Sequence, residues 1–329
     1  MDNVLEYAIS CYELERDAII PVNSGSNRVY KCKKDGLILY LRVSMNEPSY
    51  ILAEIEWIAF LSTNVSVPRL LESVNEKIAE IYMEDGNTYI ICVFHELSGM
   101  FWDKDNPTLW NESVFFNWGK TMGRMHRLTK NYEPSDRTIK RPSLKDNFVP
   151  LEHYKALPLV YKKMESIQKK IAALPLESDS YGLIHSDMHQ QNLLINDNHV
   201  SVLDFDDCQY GFFALDIGIA LYHAIWWGLP EDDGGKDDFA KKIISNFMGG
   251  YKTENQLTRF WLDQILIFMQ YRQIDALSWF LSNYKPKTFK EVVYNDLFKI
   301  NYNFADQIKF IENDIFYNNC TLDVKIFDS

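Results

Sequence analysis

Residues 183–206 restrict the fold of this chain more than any other stretch. Leu183-Ile184 lead into the polar segment His185-Ser186-Asp187-Met188-His189-Gln190-Gln191-Asn192. Leu193-Leu194-Ile195 and Val200-Ser201-Val202-Leu203 then flank the turn Asn196-Asp197-Asn198, and the second run ends in Asp204-Phe205-Asp206. Apolar, partly β-branched runs bounded by turn residues predict strand, polar loop, strand, strand.

The rest of the chain divides around this segment. Val4, Leu5, Ala8, Ile9 and Tyr12 recur at helical spacing over residues 2–16. Residues 29–33 and 37–44 predict strands joined by Lys34-Asp35-Gly36, a hairpin whose glycine supplies the positive φ. Residues 47–62 return to the helical period, Pro68 closes that unit, and strands over 78–84 and 88–96 turn at Asp85-Gly86-Asn87. Beyond Gly99 the wider period dominates, over 107–130, 151–173, 212–227, 237–251, 256–283 and 289–316. An α+β chain is expected, with a small antiparallel-sheet unit over 1–95 and a larger, mainly helical unit over 96–329.

Charge narrows the partners. Lys and Arg total 34 against 46 Asp and Glu, a net charge of −12, the wrong sign for a nucleic-acid binder. The balance suits a cationic or neutral small substrate, although an acidic surplus is mostly a solvated face. Cys11, Cys32, Cys92, Cys208 and Cys320 stand too far apart for a CxxC pair or a zinc cluster. The first sixteen residues lack the basic start and apolar stretch of a secretory signal, and no apolar run is long enough to span a bilayer. A cytoplasmic protein without a membrane partner is expected.

His185, Asp187 and Asn192 form the pattern H-x-D-x-x-x-x-N, and Asp204-Phe205-Asp206 follows at the next strand end, as in kinase catalytic loops. Phosphoryl transfer needs a carboxylate to orient and deprotonate the attacking hydroxyl, and oxygen ligands to hold magnesium against the phosphates. Asp187 is the expected base, and Asn192 and Asp204 offer hard oxygens for the ion.

These residues resemble the aminoglycoside phosphotransferase and choline kinase superfamily, the protein-kinase-like enzymes that act on small molecules. The resemblance runs from Val22 to Leu221 and is most specific over 183–195, 202–207 and Gly211-x-x-x-x-Asp216. The spacing is closest to the homoserine-kinase-type and stress-response-kinase-like branch. It implies a bilobal fold, ATP and Mg2+ as cofactors, and a small-molecule hydroxyl as acceptor. By the same resemblance Asp187 is the base, Asn192 and Asp204 are metal ligands, and Asp206 touches a second metal. His185 and Asp216 are structural, Asp216 as the buried acceptor that braces the loop. Ser186 stands where many members have Gly, which a hydroxyl residue can replace if φ stays negative.

In the sheet unit, Asn23-Ser24-Gly25-Ser26-Asn27-Arg28-Val29-Tyr30 is similar to the family's phosphate-covering loop. Arg42 occupies the position of the family's phosphate-holding Lys, and its guanidinium can take phosphate oxygens through two donors. Glu54 is the expected partner of Arg42; the alternative is an exposed helix charge. Phe94, His95, Glu96 and Leu97 match the hinge whose backbone holds adenine. His126 reads as a histidine satisfied within the core.

For the acceptor the resemblance offers Asp207, Tyr222, His223, Trp226 and Trp227, while Arg272 and Asp275 lie three apart on one helix face. Charges on so apolar a helix are either paired for packing or line a pocket. Trp226-Trp227 is either core or a cation cage, and the acidic residues at 231–233 and 237–238 read as a solvated loop. Two functions remain open: an active kinase for aminoglycosides, amino alcohols, homoserine-like molecules or sugars, and a nucleotide-binding pseudokinase signalled by Ser186 and Arg42. A protein-directed kinase is disfavoured, because no A-P-E-type segment follows Asp206.

Overall fold

Asp2 starts the first helix by accepting the Leu5 N–H at 2.9 Å. Helix α1 (Asn3–Tyr12) ends where Glu13 turns left-handed, at φ 53°. In this computed structural model the described residues are 2–22, 27–136, 138, 140–155, 158–228 and 236–283. Residues 23–26 of the expected phosphate loop, the acidic residues 231–233 and the expected helix over 289–316 lie outside them.

Strands β1 (Ile20–Val22), β2 (Arg28–Lys34) and β3 (Leu37–Ser44) precede helix α2 (Pro48–Leu61), which opens on a proline. Strands β4 (Leu70–Leu71), β5 (Glu80–Glu84) and β6 (Asn87–His95) complete an antiparallel sheet of order β1-β2-β3-β6-β4, with β5 also beside β6. The β2–β3 turn uses both Asp35 and Gly36 at positive φ, 50° and 78°, so the aspartate shares the conformation expected of the glycine alone. Period-two alternation gives β3 two purposes. Leu39, Leu41 and Val43 join Val4, Ala8 and Tyr12 of α1 in one apolar cluster, which turns Arg42 toward α2.

The chain continues through β7 (Met100–Phe101), α3 (Glu112–Thr129), α4 (Pro158–Ala172), β8 (Tyr181–Ile184), β9 (Leu193–Asn196), β10 (His199–Val202), β11 (Gln209–Phe212), α5 (Phe213–Gly228), α6 (Lys236–Lys252) and α7 (Arg259–Asn283). The expected β9–β10 hairpin is present, and β7 pairs with β9 on its other side. Strand β11 pairs with β8. Strands β1, β4, β7 and β11 have two to four residues each, too few to establish a period. The expected helix over 151–173 is split: a 3-10 turn covers Leu151–Tyr154 and α4 begins at Pro158, a residue suited to a helix start but not its interior. Among the described residues no helix is long and apolar enough to cross a membrane.

Helices α3 and α6 pack backbone to backbone. A Cβ on Gly119 would lie 1.8 Å from the Phe247 carbonyl oxygen, and one on Gly250 would lie 1.8 Å from that of Phe116. Neither neighbour is a flexible side chain. Gly119→Ala is therefore expected to destabilise the protein by about 3 kcal/mol, the upper end for an overpacked core. Chemical denaturation, with the denaturant dependence unchanged, checks this.

Candidate active site

The polar loop between β8 and β9 is built around one buried carboxylate. Asp216, in the first turn of α5, accepts the N–H groups of His185 (3.0 Å) and Ser186 (2.7 Å). It also accepts His126 Nε2 at 3.1 Å. His126 in turn faces the Tyr251 hydroxyl at 2.9 Å and stacks on Phe213. Burial holds His126 below the ordinary imidazole range, against the pull of Asp216, so the histidine is neutral, donates from Nε2 and accepts at Nδ1.

Ser186 adopts φ 67°, so the condition under which serine replaces glycine without strain, a negative φ, is not met. Asp216 fixes the two successive peptides that lead into Ser186, and Gln209 Nε2 donates to the serine hydroxyl. These bonds offset the left-handed conformation of a non-glycine residue. His185 donates from Nε2 to the Leu203 carbonyl (2.9 Å) and accepts the Asp187 N–H at Nδ1 (3.3 Å), tying the loop to the end of β10.

Asp187 projects from this loop with both oxygens engaged. Oδ1 accepts from Arg272 of α7. Oδ2 faces His189 Nε2 and Asn192 Nδ2, each at 3.2 Å. Burial opposes ionisation of Asp187, but Arg272 and then His189 outweigh it and hold the carboxyl well below the usual range. Asn192 Nδ2 also donates to the Asp187 carbonyl at 2.9 Å. Its nitrogen thus serves the loop, and its amide oxygen is the atom left for a cation.

Leu203 N–H donates to the Asn192 carbonyl at 2.8 Å, setting Asp204 beside the loop. Asp204 also has a positive φ, 59°. Burial, then the charge of Asp206, push its carboxyl up, and Asp187 adds to this. Three acidic side chains therefore feel one another in one cleft, the environment a divalent ion relieves. Among the described residues no group of three or more His, Cys, Asp or Glu is arranged to hold a metal. The expected ligand set contains only two carboxylates, and one of them is differently occupied. Asp206 accepts Arg42 Nη1 at 2.9 Å through Oδ1 and Asn27 Nδ2 through Oδ2.

Arg42 is buried, and the same Nη1 donates to Glu54 at 2.6 Å. Glu54 is only 2% exposed, which excludes the exposed-charge alternative. The Nε and Nη2 groups of Arg42 are buried without a partner. Orphaned guanidinium donors beside an acidic cleft fit phosphate oxygens. Ser24, Gly25 and Ser26 lie outside the described residues. In the expected hinge, Phe94 is buried under Arg42, while the N–H groups of His95 and Glu96 donate to the Arg69 and Ile38 carbonyls. Leu97 is the hinge residue after these two.

On the acceptor side, Arg272 donates from Nε to His223 Nε2 (2.9 Å) and from Nη1 to Asp275 (3.2 Å), besides reaching Asp187. Burial, then Arg272, depress His223 far below its ordinary value, so it accepts as a neutral ring. Asp207 reaches solvent at the cleft, and burial followed by the charge of Asp187 raises its carboxyl. Burial also raises Asp275, against Arg272. Tyr222 lies fully inside the helical core, edge-on to His223, and the side chains of Trp226 and Trp227 are outside the described residues. Two contributors have no role assigned from the sequence. Arg141, in an irregular segment, donates to the carbonyls of Cys208 and Asp206, and His189 pairs with Asp187 while accepting the Gln191 N–H.

Residues 18–243 match the sequence profile of the phosphotransferase enzyme family. The chain belongs to that family. It is 30% identical over 286 residues to the amicoumacin kinase of Bacillus subtilis strain 168, covering 83% of this chain and 82% of that protein. Among solved structures it is similar to an amicoumacin kinase in complex with AMP-PNP, Ca2+ and Ami (TM-score 0.80, 26% identity, 95% and 94% of the two chains covered). It is also similar to a microcompartment-associated aminopropanol kinase (TM-score 0.73, 18% identity, 96% and 98% covered). This member of the phosphotransferase enzyme family has the bilobal, protein-kinase-like α+β fold expected from its sequence. It is a small-molecule phosphotransferase with an alcohol group as acceptor.

Proposed function

We propose that the enzyme moves the γ-phosphate of ATP, with Mg2+, to a hydroxyl of an amine-bearing small molecule bound between a lobe of residues 1–95 and one of 96–329. The observation that carries this reading is one cleft in which Asp187, Asn192 and Asp204 stand within electrostatic or hydrogen-bond reach of one another, facing an arginine with orphaned donors. The relatives named above act, by their names, on amicoumacin and aminopropanol. The cleft itself favours an ammonium group. Among the described residues, Asp187, Asp207 and Asp275 all feel the charge of Arg272, with His223 held neutral.

Asn192 and Asp204 would hold the magnesium ion, which neutralises phosphate charge when bound. Arg42 would take phosphate oxygens through Nε and Nη2. Asp187, held ionised by Arg272 and His189, is a weak base in the resting enzyme. Its chief task is to orient the acceptor hydroxyl and take its proton late, as the oxygen–phosphorus bond forms.

An ATP-consumption assay over amicoumacin, aminopropanol, aminoglycosides and amine-free polyols tests the proposal. Magnesium-dependent turnover confined to amine-bearing alcohols is expected. Nucleotide binding with no turnover on any acceptor would favour the pseudokinase instead. Arg272→Gln is expected to lower kcat/KM for the acceptor by about 10- to 100-fold, the weight of a charge-assisted bond to the base. Nucleotide affinity, read by calorimetry, should stay unchanged.

A further inference from the structure

Asp206 would be a second magnesium ligand by resemblance, but its surroundings differ from those of a ligand. One carboxylate oxygen accepts from Arg42, the other from Asn27, and its backbone carbonyl accepts from Arg141. A divalent ion on Oδ1 would stand against a guanidinium charge, and one on Oδ2 would compete with an amide donor. Asp204 accepts from no Arg or Lys among the described residues, so it is open to a cation.

The two donors to Asp206 come from separate parts of the sheet lobe. Asn27 leads from the expected phosphate-covering segment into β2, whereas Arg42 lies on β3 and is braced by Glu54 of α2. We propose that Asp206 is an interlobe clasp and not a metal ligand: it fastens Asn27 and Arg42 over the phosphate site and leaves the resident ion to Asn192 and Asp204. This rests on the kinase reading given above. It makes Asp206 a positioning residue, acting through Arg42 and Asn27 on how long nucleotide stays bound.

Release of a fluorescent ADP analogue in Mg2+, followed by stopped flow on the full-length chain, tests the clasp. Asn27→Ala and Asp206→Asn are each expected to speed release by about tenfold, the size of a charge-assisted bond. The two together should speed it no more than Asp206→Asn alone, because the Asn27 contact is already lost in that variant. The Mg2+ concentration for half-maximal nucleotide binding should stay within about twofold of wild type in Asp206→Asn, as for a group that does not ligate the ion.

Asn27→Asp sets a carboxylate against Asp206 and should speed release at least as much. Exchanging the pair, Asn27→Asp with Asp206→Asn, again faces a donor with a carboxylate and should bring release back to within about threefold of wild type. A Mg2+ midpoint raised about tenfold by Asp206→Asn, as for a lost ligand, or release rates that multiply in the double variant, would overturn the clasp. If Asp206→Asn does not fold, unchanged release in both Asn27 variants overturns it, and faster release in both upholds it. A wild-type chain that binds no nucleotide would instead sink the kinase reading. The same variants compared by thermal stability then decide the clasp: coupled losses uphold it and additive losses refute it.

Discussion

Asp187→Ala is expected to lower kcat by about two to four decades, the range of a positioned general base. The loss follows from what the residue touches. Asp187 is fixed by Arg272, His189 and Asn192 on the acceptor side of the cleft, so its removal leaves the hydroxyl unoriented and its proton without a nearby acceptor. Nucleotide binding should change little, because Arg42 and Asp204 are untouched. Arg272 keeps Asp275 and His223 as partners, so no buried charge is stranded and the fold should survive. Steady-state kinetics beside calorimetric ADP binding separate the two effects. A variant with near-normal kcat would remove Asp187 from the chemistry.

Asp204→Asn should act in the opposite order, abolishing the magnesium-dependent part of nucleotide binding and, with it, turnover. Asparagine tolerates the left-handed backbone at φ 59° as aspartate does, so the change removes charge and little else. In the wild type the carboxyl is raised by burial and by Asp206. The sign for stability follows: a folded pKa above the unfolded one destabilises the ionised native form, so without metal the protein gains stability as pH falls through that raised value. The variant should therefore be at least as stable as wild type at neutral pH without metal, yet lose the thermal stabilisation that ATP with Mg2+ confers. Equal stabilisation of both proteins would refute the assignment.

The parts of this site legible in the sequence are local. His185, Asp187, Asn192 and Asp204 lie within twenty residues, on a loop and hairpin whose strand pattern and turn chemistry agree. The Arg272–Asp275 pair was readable for the same reason, being three apart on a helix. The 85-residue reach from Arg272 to Asp187 was not. Spacing along a helix shows which residues share a face, but not which distant loop Arg272 meets. Arg141 sits outside any periodic element, and the contacts of Asp206 with Arg42 and Asn27 are hidden because the motif fixes its position and not its partners. The backbone of Ser186 is equally hidden. Its φ is set by Asp216, thirty residues away, and no local preference of serine reveals that.

The carboxylate of Asp216 has a wider reach than the turn it braces. From Asn255 the contacts pass to Tyr251 on α6, to His126 on α3, to Asp216 on α5, and so to the amides before Asp187. The helices at the start of that chain touch through Gly119 and Gly250 with no side chain between them. The catalytic turn is thus mortised into a joint where two helices meet backbone to backbone, and inherits its geometry from the helical core.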